Sequence, residues 1–157
     1  VELATLENAI SQLGDPEETI PLEPAHLEGM TPELLMETVL HPRAALQLFA
    51  FTYPVNDYYI AVKEEKSPSP PAPQKSFVAV FRHEDVVWRM PLDEQEYYLL
   101  QKLFNGLPVG EALENLQNEL ALQEDELMSQ LSNWFSRWMR NGLLAYKNEH
   151  HILQEVA

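Results

Sequence analysis

Residues 63–76 (KEEKSPSPPAPQKS) hold four prolines, no aromatic side chain and no aliphatic one larger than Ala72. Such a stretch cannot bury enough apolar surface to offset the entropy of ordering it. Its prolines also have no N–H to give to a helix or a sheet ladder. It reads as a long loop or interdomain linker. On that reading residues 1–62 form an N-terminal layer of helix and extended or strand structure, and residues 77–157 form a second domain. Whether the two halves share one core is left open, since 157 residues make one ordinary domain or two small ones.

Past the linker the apolar period changes from 2 to 3.6. Residues 77–82 and 86–90 alternate as strands, with His83-Glu84-Asp85 as the turn of a hairpin. Asp93 then caps a helix, and Glu96 three residues on completes a capping-box pattern. Tyr97, Leu100, Leu103 and Phe104 form the inner face of that helix, which ends at Gly106. Pro108 opens a second helix, where its missing N–H costs nothing, with Ala112, Leu113, Leu116 and Leu120 on one face. A third helix starts near Glu124. Its acidic first turn and the Arg137 and Arg140 of its last turn match the macrodipole at both ends. Leu127, Leu131, Trp134, Phe135, Trp138 and Met139 make its apolar stripe, and Gly142 stops it. Residues 143–146 and 151–156 then suggest two short strands. Strand, strand, helix, helix, helix, strand, strand is the order of a winged helix-turn-helix. The expected class is therefore α+β with a winged-helix-like C-terminal domain.

The N-terminal half is less regular. Leu3, Leu6, Ile10 and Leu13 recur at helical spacing, so residues 2–13 are expected as a helix stopped by Gly14. Residues 15–32 read as an extended, Pro- and Glu-rich loop. A short helix follows, with Thr31 as N-cap and Pro32 in its first turn. Residues 44–53 suit a buried strand, with helix as the alternative, and 58–62 a second extended piece.

The formal charge of −15 narrows the function classes. Residues 1–42 carry nine acids and no Lys or Arg, and residues 92–133 carry nine acids against Lys102 alone. Phosphate binding depends on Lys and Arg displacing counterions, so both stretches repel a polyanion. The third helix would be the DNA-reading helix, and its first turn is acidic, so duplex DNA is not expected as a ligand of this chain. Without cysteine there is neither a disulfide nor a thiolate metal site, which fits a reducing, cytoplasmic setting. The five histidines form no i, i+4 pair and no HExxH motif, and His150-His151 point apart if extended. There is no nucleophile elbow or glycine-rich phosphate loop. No signal peptide and no membrane-length apolar run is present. Neither enzymatic activity, nor a cofactor, nor a metal is expected.

Trp88 sits on a hairpin strand, where it is either core or a platform facing a partner. Arg82, Arg89 and Arg137 are the basic residues that the expected fold could gather into a strip, whose natural complement is an acidic extended peptide or loop. VELATLENAI, VLHPRAALQLFAFTYPV and the tail from FVAVFRHEDVVWRMPLDEQEYYLLQKLF to RNGLLAYKN together resemble the C-terminal domain of the bacterial HvfC/BufC-type family, which carries a DNA-binding-domain description. The resemblance covers nearly the whole chain. It implies a helical domain ahead of Val1 in a longer protein, and a role as partner subunit of multinuclear non-heme iron enzymes that modify peptides. LFNGLPVGEALENL and RNGLLAY are also similar to the peptide-recognition element of ribosomal-peptide biosynthesis. That element takes a leader peptide as an added strand. Carried over, the strand edge is 78–82, with Val78, Val80 and Arg82, or 86–90, with Trp88 and Arg89. The groove wall is Gln130, Asn133 and Arg137. The function expected is a non-catalytic subunit that recognises a precursor peptide and docks to its modifying enzyme. The alternative is a transcription-associated regulator whose DNA contacts lie in the preceding domain.

Overall fold

The computed structural model describes residues 1–12 and 19–147. Helices are α1 (Glu2–Gln12), α2 (Pro32–Glu37), α3 (Val55–Lys63), α4 (Glu94–Phe104), α5 (Val109–Leu120) and α6 (Glu124–Arg140). Strands are β1 (His41–Pro42), β2 (Gln47–Phe51), β3 (Ser76–His83), β4 (Val86–Leu92) and β5 (Leu144–Ala145). The protein is thus mixed helix and sheet. It divides into two compact units, Val1–Pro16 with Ala45–Gln101 and Glu17–Ala44 with Lys102–Ala157. These units do not follow the ranges 1–62 and 77–157, because β2 pairs with β3 across the Pro-rich segment. Residues 63–76 therefore connect α3 to β3 inside the first unit.

The first unit is built on a three-stranded antiparallel sheet in the order β2-β3-β4. Glu84 and Asp85 between β3 and β4 both have positive φ, 53° and 63°, the signature of a type I′ hairpin turn. That turn matches the twist of the strands, though neither residue is the Asn or Gly that adopts it at least cost. Directly opposed residues share a face. Phe49, Val78, Val80 and Val87 lie on one side of the sheet, where Leu6 of α1 and Val55 of α3 complete the core. Residues 58–62, expected as extended, are instead the body of α3. Their aromatic and β-branched side chains favour a strand locally. The deciding feature is the four-residue spacing of Val55 and Tyr59, which puts both against the sheet. The Glu2 carboxylate accepts from the Thr52 N–H at 2.8 Å and the Tyr53 N–H at 3.1 Å, fixing α1 to the end of β2.

In the second unit β5 pairs with β1, His41 opposite Ala145 and Pro42 opposite Leu144. The terminal strand expected over 151–156, and the His150-His151 turn, lie outside the described residues. The Leu22 N–H donates to the Leu144 carbonyl at 2.8 Å and the Tyr146 N–H to the Ile20 carbonyl at 2.7 Å. Thr31 caps α2 as expected, its Oγ1 accepting from the Leu34 N–H at 3.1 Å. Helix α6 buries Leu127, Leu131, Trp134 and Trp138. It ends in a Schellman motif: Gly142 (φ 70°) donates to the Met139 carbonyl at 3.2 Å, and the next N–H, of Leu143, donates to the Trp138 carbonyl at 2.9 Å.

Candidate functional site

In a two-residue hairpin the residues flanking the turn form a hydrogen-bonded pair, and such pairs alternate along the ladder. His83 and Val86 are that pair, so Trp88, Met90 and Leu92 also bond to β3. Val87, Arg89 and Pro91 turn their backbone groups to the far side of β4. Pro91 has no N–H to offer, one of the devices by which sheet edges are blunted. Val87 and Arg89 offer both an N–H and a carbonyl. Among the described residues β4 is the outermost strand on this side.

The same alternation hands the other residues of β3 to β2. Val78 faces Phe49 and Val80 faces Gln47, and both valines are fully buried. The expectation that 78–82 could be an open edge is corrected by this pairing, since β3 is the central strand. Val78 and Val80 are core. Trp88 is 44% exposed and Val86 51%, so together they form an apolar step beside the hairpin turn. Indole Nε1 of Trp88 donates to the His83 carbonyl at 3.1 Å, which pins the ring.

On the opposite face, the Arg89 guanidinium lies over the Tyr59 ring with Cζ 4.3 Å from its centroid. Lys63 Nζ approaches the same ring at 5.5 Å. Both distances suit cation–π attraction. Arg89 Nη1 is buried and has no hydrogen-bond partner, a condition that costs roughly 1–3 kcal/mol until an acceptor arrives. Arg82 shares this face of the sheet and is half-buried. Sequence reasoning missed Tyr59 and Lys63 because α3 was read as extended. Their four-residue spacing was the available signal.

Gln130, Asn133 and Arg137 lie on one side of α6, the first two exposed and the third half-buried. They belong to the second unit, whereas Arg82, Trp88 and Arg89 belong to the first. A separate cleft of about 360 Å³ in the first unit includes Asn56, Asp57, Lys75, Asp93 and Glu94 among its walls. Ser76 also lines it, but its hydroxyl donates to the Tyr53 carbonyl at 2.6 Å and is already engaged. Among the described residues no three His, Asp or Glu side chains are grouped to hold a metal ion. No described helix is long and apolar enough to cross a membrane.

The site is thus a short open strand edge, with an apolar step on one face and a cationic aromatic cluster on the other. Compared with protein-family models, curated proteins and solved structures, the chain matches none.

Proposed function

We propose that this chain is a non-catalytic partner subunit that receives an extended precursor peptide as an added strand along β4 and presents it to a metal-dependent peptide-modifying enzyme. The reading takes β3, β4 and α4–α6 as a winged-helix-like module. The observation that carries it is the pair of outward backbone positions, Val87 and Arg89, next to a guanidinium whose buried Nη1 lacks an acceptor. Backbone pairing supplies affinity in such complexes, and pockets for alternate side chains supply specificity. An acidic peptide side chain opposite Arg89 satisfies Nη1 after a small rotation of the guanidinium. An apolar residue on the alternate face packs on Trp88 and Val86. The charge of −15 works against an acidic ligand at long range, but screening confines that field to about 8 Å at physiological salt. The local cations then decide the contact.

The test is a calorimetric titration with peptides from small reading frames beside an iron-oxygenase-type gene. Arg89→Glu removes a charged hydrogen bond worth roughly 1.5–3 kcal/mol, so affinity falls about 10- to 100-fold. Val87→Pro removes one edge donor and weakens binding further. If both variants stay folded and bind as tightly as the parent, the peptide does not add to β4.

A further inference from the structure

The cleft of about 360 Å³ lies where three segments meet at one end of the sheet: the start of α3, the entry to β3 and the exit from β4. Phe77 is opposite Leu92, so Lys75 and Glu94 follow the last rung of the same ladder. Asn56, in the first turn of α3, is part of the cleft wall and only 6% exposed. Its Oδ1 is buried and has no hydrogen-bond partner. A buried acceptor without a donor is costly, so such atoms are rare and mark places where water, an ion or a ligand completes the bonding.

The backbone beside it is unmatched in the opposite sense. No side chain caps α3. The Val55 N–H turns back to the Tyr53 carbonyl at 2.8 Å, while the N–H groups of Asn56 and Asp57 have no acceptor among the described residues. Two donors and one acceptor are therefore open within two consecutive residues. Both signs of charge are present as well. Asp57, Asp93 and Glu94 line the cleft with Lys75, and Lys75 is ion-paired to none of them. Each helix N-terminus is equivalent to about half a positive charge. With the starts of α3 and α4 included, the walls sum to about −1. A simple anion would meet that net negative charge. A simple cation would leave Lys75 and the two N–H groups without acceptors.

We propose that this cleft binds a free α-amino acid with an apolar side chain. Its carboxylate takes the Asn56 and Asp57 N–H groups and the Lys75 ammonium. Its own ammonium donates to Asn56 Oδ1 and lies in the field of Asp93 and Glu94. The apolar part of the wall, Pro54, Phe77, Val78 and Leu92, takes the side chain. Pairing at β4 uses the backbone of Val87 and Arg89, which are not part of this cleft. The two readings therefore stand or fall separately.

The experiment titrates the full chain with L-leucine and follows it by heteronuclear NMR. The Asn56 side-chain amide and the Asp57 backbone amide should both shift. Asn56→Leu replaces an unsatisfied polar group by an apolar one of similar size, so the fold should survive. It should weaken leucine about 10- to 100-fold, the loss of a charged hydrogen bond. Lys75→Gln, at an exposed position, should weaken it about fivefold. Leucinamide lacks the carboxylate and N-acetylleucine the ammonium, and each should bind at least about tenfold more weakly than leucine. Unshifted amides, unchanged affinity in folded Asn56→Leu or in Lys75→Gln, or equal binding of either derivative would overturn the proposal. Absence of leucine binding with a more stable Asn56→Leu would assign Oδ1 to a water molecule and overturn it too.

Discussion

Proline substitution separates the two strands of the hairpin. Val78 lies in the middle of β3, fully buried, with its N–H and carbonyl turned toward Phe49 of β2. Val78→Pro deletes that N–H, strands the Phe49 carbonyl and distorts the neighbouring rung. A lost hydrogen bond costs about 1 kcal/mol and an orphaned buried carbonyl roughly 1–3 kcal/mol. Including the distortion, the total is about 4 kcal/mol, a large part of the 5–15 kcal/mol that holds a typical domain together. Val87→Pro touches no rung, because the Val87 N–H already faces away from β3, where proline is tolerated. Its expected cost is about 1 kcal/mol or less, from loss of valine packing and a φ shifted toward −65°. With a urea m-value of about 2 kcal/mol/M, the two midpoints should differ by about 1.5 M, read by near-ultraviolet dichroism. Equal midpoints would mean that β3 is not the central strand, and the assignment of β4 as the open edge would fail with it.

Three further outcomes follow from local geometry. Ala121 ends α5 in the left-handed region at φ 51°; Ala121→Gly should raise stability by about 1 kcal/mol in thermal denaturation. Gly106 has φ 98° with open space around its Cα, so Gly106→Ala should lower stability by about 1 kcal/mol, purely through the backbone. Burial, then the neighbouring Tyr98, lift the Tyr97 hydroxyl above its ordinary value of 10.0, against the Gln101 amide that lowers it. A raised folded-state pKa stabilises the fold below pH 10 and is lost as pH climbs through the higher value. A 295 nm titration should thus show a tyrosine step above the ordinary value, and Tyr97→Phe should remove it.

The readable parts of the fold were those set by local pattern. The α6 stripe, the Thr31 cap, the Asp93–Glu96 start of α4 and the turn at Glu84-Asp85 are each fixed within a few residues. Asp93 donates its N–H to Glu96 Oε1 at 3.1 Å, as the capping pattern implies. Helix α3 was obscured because Tyr58, Tyr59, Ile60 and Val62 favour strands. Its helical state depends on Val55 and Tyr59 reaching a sheet whose strands lie on both sides of it in sequence. The β2–β3 pairing is non-local and carries no signal in periodicity, which is why Val78 and Val80 looked like edge residues. Composition describes residues 63–76 correctly as unable to form a core. It says nothing of the groove that Pro70 and Pro71 line together with Tyr53 and Tyr58. Trp88 and Arg89 were identifiable by type, but the acceptor that Arg89 Nη1 lacks is visible only once Tyr59 is beneath it.

Amide hydrogen exchange at Val87 and Arg89 tests strand addition most directly. Both N–H groups face outward and should exchange quickly in the free protein, whereas those of Trp88 and Met90 are held by β3. Adding a bound peptide at about 100 times its Kd supplies up to about 2.7 kcal/mol of protection. Exchange at Val87 and Arg89 should then slow by as much as a hundredfold. A peptide that binds by calorimetry yet leaves these two amides exchanging at their free rates would contradict strand addition at β4.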